Sequence, residues 1–147
     1  MKKLLHRIAA ALLCGSIALT PLTAHAAPIA TGIDVSYHNG IVNWQAVKNS
    51  GISFAFVRVA STKSGIDAQF VNNITGANAA GLRVGVYIYS YATTVEGAIN
   101  EANIVLNAIA PYTVSFPVVY DIEDTVHKNM SPDQLAALVN AFCGTIA

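Results

Sequence analysis

Three carboxylates fall within four positions in the stretch PVVYDIEDT, residues 117–125, directly after a run of strand-forming residues. Side chains on a strand alternate between faces, so Asp121 and Glu123 are expected on one face and Tyr120 and Ile122 on the other. Two rises of roughly 3.3 Å would set the two acidic Cα atoms about 6.5–7 Å apart. Carboxylates that close affect one another's pKa, and the more buried one tends to keep its proton near neutral pH. A kept proton is what a general acid needs. Glycoside hydrolysis uses such a pair, one carboxyl protonating the leaving oxygen while the other steadies the positive charge developing on the sugar. The spacing leaves two further readings open: a solvated turn or helix cap, and a metal site in which His38 and His127 join Asp121, Glu123 and Asp124. No H-x-x-x-H or comparable ligand spacing accompanies the second of these. Asp124 itself reads as a cap or a solvated charge.

Other residues point the same way. Asp34 ends the first apolar stretch, GIDVS, and would face the same mouth as the fourth. Tyr87, Tyr89 and Tyr91 recur at every second residue, which places them on one face of a strand. Their rings can stack on the apolar faces of sugars, and their hydroxyls can donate to sugar or acetamido oxygens; filling the core is the alternative, for Tyr87 and Tyr89 above all. Arg58 lies within an apolar strand and would be costly to bury unpaired, so it either meets a mouth carboxylate or reaches solvent.

The elements that must position these residues alternate between strand and helix from Thr31 onward. GIDVS (32–36) reads as a strand, and NWQAVKNSG (43–51) as a helix with Asn43 as N-cap and Gly51 as its stop. SFAFVRVA (53–60) is the second strand. A helix over 67–80 follows, with Phe70, Ile74 and Ala77 on one face and Gly81 at its end. RVGVYIYSY (83–91) is the third strand. A capping box from Thr93 to Glu96 opens the next helix, with Ile99, Ala102, Leu106 and Ile109 on its apolar face and Pro111 closing it. FPVVYDIE (116–123) is the fourth strand, with Pro117 at its beginning. Ser131, Pro132 and Gln134 start the last helix, whose apolar face carries Leu135, Leu138, Val139 and Phe142. Four successive βα units imply a parallel sheet with right-handed crossovers, either doubly wound or part of a barrel. In both, ligands bind at the carboxyl ends of the strands, where the polar residues of this chain cluster.

Residues 1–26 have the pattern of a secretory signal: Lys2, Lys3 and Arg7, an apolar run from Ile8 to Leu19, then Ala24-His25-Ala26 as the cleavage site. That run of about a dozen residues is too short to span a bilayer, so an exported chain beginning near Ala27, periplasmic or extracellular, is expected, with no membrane association after cleavage. Cleavage leaves five of the eight basic residues against all eight acidic ones, a balance that disfavours nucleic acid as a partner. It also leaves Cys143 without an intramolecular partner, so stability must come from a packed core.

Taken in order, GIDVSYHNGIVNW, FAFVRVASTKSG, AGLRVGVYIYSYA and FPVVYDIED resemble glycoside hydrolase family 25, bacterial and phage lysozymes that act as N-acetylmuramidases. The resemblance runs from about Thr31 to Ala147. It implies an irregular β/α barrel and cleavage of the β-1,4 bond between N-acetylmuramic acid and N-acetylglucosamine in peptidoglycan, whose glycan strands would be the partner, without metal or cofactor. It also implies Glu123 as general acid, Asp121 as the carboxylate that steadies the substrate's acetamido group, Asp34 as the acid ending the first strand, and Tyr87 as a sugar contact, with Tyr89 and Tyr91 continuing the row. The implied route is retaining and substrate-assisted.

Two departures accompany the resemblance. The turn Ala60-Ser61-Thr62-Lys63-Ser64-Gly65 stands where the family often has an acidic ATEG-like turn. The pattern over 27–147 also gives only about four βα units, without the family's closing strands. The expected fold is therefore a partial (β/α) barrel on a parallel sheet, with an exposed edge that would invite self-association. A non-catalytic remnant that binds wall glycan or a partner chain is the alternative to an active muramidase, and a metal-dependent hydrolase the third reading.

Overall fold

The computed structural model describes residues 30–147; the segment read as a secretory signal, 1–26, lies outside the described residues. Four parallel strands, β1 (Gly32–Val35), β2 (Phe54–Ser61), β4 (Arg83–Tyr89) and β5 (Val118–Asp121), pair in the order β1-β2-β4-β5. A two-residue strand, β3 (Gly65–Ile66), folds back antiparallel on β2. The helices are α1 (Trp44–Asn49), α2 (Phe70–Ala79), α3 (Val95–Ile109) and α4 (Pro132–Ile146). Each new parallel strand adds on the same side of the last. With right-handed crossovers this keeps every helix on one face, so the sheet is a barrel segment and the doubly wound alternative falls.

Alternation along β2 shows the two faces. Ala55 and Val57 are fully buried beneath the helices, whereas Phe54 and Phe56 on the opposite face are only half-buried. Val84, Val86 and Ile88 of β4 extend the buried layer, with Ile74 and Ala77 of α2 and Ala98, Ala102 and Val105 of α3 packed over it. On the other face the Phe56 and Phe116 rings stack at 6.1 Å, and Phe54 meets Phe116 edge-on at 5.2 Å. Gly85 lies below them. A Cβ there would collide with the Phe56 ring, so this aromatic floor requires the missing side chain.

Several local expectations change. The second helix begins at Phe70, three residues later than expected, because Asp67 is engaged elsewhere. Gly81 ends it as expected, with φ 69°. Thr94, not Thr93, caps α3, accepting from the Gly97 N–H at 3.1 Å without a capping box. The buried face of α3 is Ala98, Glu101, Ala102 and Val105; Ile99 is 39% exposed. The fourth strand ends at Asp121, so Glu123 lies beyond it. Ser131, Pro132 and Gln134 do form the expected capping box with proline in the first turn of α4.

Candidate active site

A cavity of about 890 Å³ opens at the carboxyl ends of the strands, on the face away from the helices. Its lining includes Asp34, Tyr87, Tyr89, Asp121 and Glu123, with Phe56 as part of the floor and Arg58 in the wall. The register explains the convergence. Asp34 pairs with Phe56 and Phe56 with Gly85; one step up, Arg58 pairs with Tyr87 and Tyr87 with Val119; at the rim Tyr89 pairs with Asp121. Residues in register on neighbouring strands point to the same side, so these side chains enter one space.

The two carboxylates differ. Asp121 is half-buried at the end of β5, and Glu123 is exposed just past it. Burial pushes the Asp121 carboxyl above its ordinary value, and the charges on Glu123 and Asp34 add to that push; a main-chain hydrogen bond from Glu123 and the Arg58 guanidinium oppose it. Burial likewise raises the Tyr87 phenol, with Arg58 opposing and Asp34 adding. Asp124 turns aside. It caps the short 3-10 helix Thr125–His127 by accepting from the Val126 N–H at 3.0 Å, which holds its carboxyl below the usual range. The Tyr89 hydroxyl donates to its other oxygen at 3.3 Å.

Arg58 meets neither a mouth carboxylate nor open solvent. Its Nε and Nη2 donate to one oxygen of Asp67 at 2.8 and 2.7 Å, and that oxygen also accepts from the Tyr37 N–H at 3.1 Å. The guanidinium stacks 4.7 Å above the Tyr37 ring. A register shift between Arg58 and Ala60 places two β2 residues against one of β4, a bulge of the kind that re-aims side chains beside sites. Asp67 was missed as a site residue because its place ahead of an apolar period reads as a helix start.

Tyr91 leaves the row. It lies beyond β4 and lines a second cavity of about 520 Å³ with Ser61, Lys63 and Ser64, the Lys63 ammonium resting 4.4 Å over its ring. The histidines do not complete a metal set. His127 is buried with Nε2 2.9 Å from the Ala92 carbonyl, His38 lines the cleft, and no group of three His, Cys, Asp or Glu side chains converges among the described residues. Glu101, absent from the sequence reading, is fully buried beneath the strand ends. Its signal was available: 98, 101, 102 and 105 follow a helical period that puts an acid on the core face.

Residues 33–147 match the family model described as Glycosyl hydrolases family 25. Among curated proteins, lysozyme M1 of Streptomyces globisporus is 36% identical over 66 residues, 45% of this chain and 22% of that protein. The autolytic lysozyme of Clostridium acetobutylicum is 28% identical over 111 residues, 76% of this chain and 33% of that protein. Among solved structures, the modular autolysin LytC of Streptococcus pneumoniae superposes with a TM-score of 0.68 at 28% identity, over 78% of this chain and 29% of that one; it has also been solved with a synthetic peptidoglycan ligand. The chain thus spans between about a fifth and a third of the length of these relatives.

Proposed function

The chain belongs to glycosyl hydrolase family 25, and from that membership we propose that residues 27–147 form an exported muramidase domain that hydrolyses peptidoglycan. The bond is the β-1,4 link between N-acetylmuramic acid and N-acetylglucosamine. The observation that carries this reading is the single cleft lined by Asp34, Asp121 and Glu123 together with Tyr87 and Tyr89. Lysozymes act on cell wall, so the site of action is outside the cytoplasmic membrane, in keeping with the signal-like first 26 residues.

Burial alone would mark Asp121 as the holder of the proton. Glu123 takes the acid's role instead from its match to the family and its reach, since it is exposed at the rim and free to meet the glycosidic oxygen of a bound strand and give it a proton. Asp121 sits deeper and accepts the acetamido N–H of the muramic acid residue, which orients the acetamido oxygen toward the anomeric carbon. That oxygen forms a bond to the carbon as the leaving sugar departs. Water then opens the cyclic intermediate, returning its proton to the Glu123 carboxylate, and configuration is retained; such substrate assistance is an exception to the two-carboxylate scheme. Asp34 adds negative charge opposite the developing positive charge. Tyr87 and Tyr89 present ring faces to the sugar, while the Tyr89 hydroxyl is turned to Asp124.

Clearing of a peptidoglycan suspension by residues 27–147 tests this directly. Glu123→Gln keeps the shape but has no acidic proton to deliver, and is expected to lower the clearing rate by at least about a hundredfold. Unchanged clearing removes Glu123 from the role of acid. Binding of wall glycan without clearing by the unsubstituted chain supports the non-catalytic alternative instead.

A further inference from the structure

Glu101 is 0% exposed in the middle of α3, and no cation pairs with it among the described residues. Its carboxylate is satisfied by four donors. Oε1 accepts from Thr62 Oγ1 at 2.9 Å and from the Tyr91 N–H at 3.0 Å; Oε2 accepts from Ser90 Oγ at 2.6 Å and from the Tyr120 hydroxyl at 3.0 Å. Four donors match the acceptor capacity of an ionised carboxylate. Such a group is costly to bury, and an apolar residue like its neighbours Ala98 and Ala102 would fill the layer without that cost. What the carboxylate adds is connection. Thr62 belongs to the turn after β2, Ser90 and Tyr91 to the segment after β4, and Tyr120 to β5 immediately before Asp121.

The strand end is held from several sides. Tyr120 stacks on Phe142 of α4 at 4.1 Å and 8°, which leaves its hydroxyl directed to Glu101. The Ser90 N–H donates to the Asp121 carbonyl at 2.8 Å, and Ser90 Oγ accepts from the Ala92 N–H at 3.1 Å. Consecutive strand residues point to opposite faces, so fixing Tyr120 on the helix side fixes the direction in which Asp121 enters the cleft. We propose that Glu101 is a positioning residue for the glycosidase site, gathering the ends of β2, β4 and β5 so that Asp121 and Glu123 are aimed at the substrate it never touches. This rests on the functional reading of those two carboxylates.

Glu101→Gln keeps the size of the side chain but turns two acceptor sites into donors. Paired with Tyr120→Phe, which deletes one donor, it gives a double-mutant cycle. With peptidoglycan fragments as substrate, Glu101→Gln is expected to lower kcat by about tenfold or more while KM stays within about threefold, since misplacement of a reacting group acts on the chemical step. The double variant should be no slower than Glu101→Gln alone. Hydrogen exchange supplies a readout independent of activity, which decides the matter even if the unsubstituted chain cleaves nothing. The amides of Ser90, Tyr91 and Ala92 should lose protection in Glu101→Gln while those of β1 and of β2 before the bulge keep theirs. Should that variant fail to fold, Tyr120→Phe carries both readouts at smaller amplitude. Unaltered local protection, or protection lost evenly across the sheet with kcat following the unfolded fraction, would overturn the proposal.

Discussion

Two carboxylates two residues apart compete for ionisation, and in this cleft the cost falls on Asp121, the more buried of the pair. Its raised value has a consequence for stability as well as for chemistry. An acid whose folded value lies above its unfolded one favours the folded state most when protonated, so that contribution is complete below the ordinary value of 3.8 and is lost as pH rises through the raised value. Asp121→Asn stays neutral throughout. It should therefore melt higher than the unsubstituted chain at neutral pH, with the gap closing on acidification through that window, and it should be far less active. Melting curves of both proteins at several pH values check this; parallel pH profiles would contradict it. At this scale period and position in the sequence put Asp34, Tyr87, Tyr89 and Asp121 at one mouth, and the cleft lining includes all four, with Glu123 just past the strand end. Asp67 was hidden because its partners lie in other elements, and pairing across 9 and 30 residues, Arg58 to Asp67 and Tyr37 to Asp67, leaves no local trace. Glu101 differs, since its helical period did mark an acid on the core face.

The fold-back after β2 acts on the cleft wall through Arg58, which lines it. Gly65 and Ile66 pair with Ser61 and Ala60, and the Asp67 N–H donates to the Val59 carbonyl at 2.8 Å. This carries Asp67 back beneath Arg58, where the bulge has turned the guanidinium. The pair is buried, with side-chain exposures of 10% and 0%. Removing one partner leaves the other charge uncompensated, which typically costs about 3–5 kcal/mol. Asp67→Asn is therefore expected to lower the urea midpoint in proportion and to loosen the turn carrying Lys63. Little change would mean that solvent reaches Arg58 readily. The βα order was legible because apolar strands and capped helices leave strong periodic signals. Boundaries were less so: α2 gives up its first three residues to the Arg58 pair, and β5 stops at Asp121, short of the expected Glu123.

For the whole molecule, strand order decides the architecture. Unreversed addition of β1, β2, β4 and β5 puts the helices on one side and leaves the other for the aromatic floor and the cleft. Sequence alone admitted both a barrel and a doubly wound sheet, because βα alternation is common to the two and only pairing order separates them. The cleft's position at the strand ends was foreseeable from polar clustering. A muramidase site at these strand ends is distinguished by the new chain ends it makes. Peptidoglycan digested with residues 27–147 would be reduced with borohydride and its sugar alcohols identified by mass spectrometry. Muramitol, from N-acetylmuramic acid newly at the reducing end, is expected, and should be lost with Glu123→Gln; glucosaminitol, or release of stem peptides with intact glycan, would rule a muramidase out.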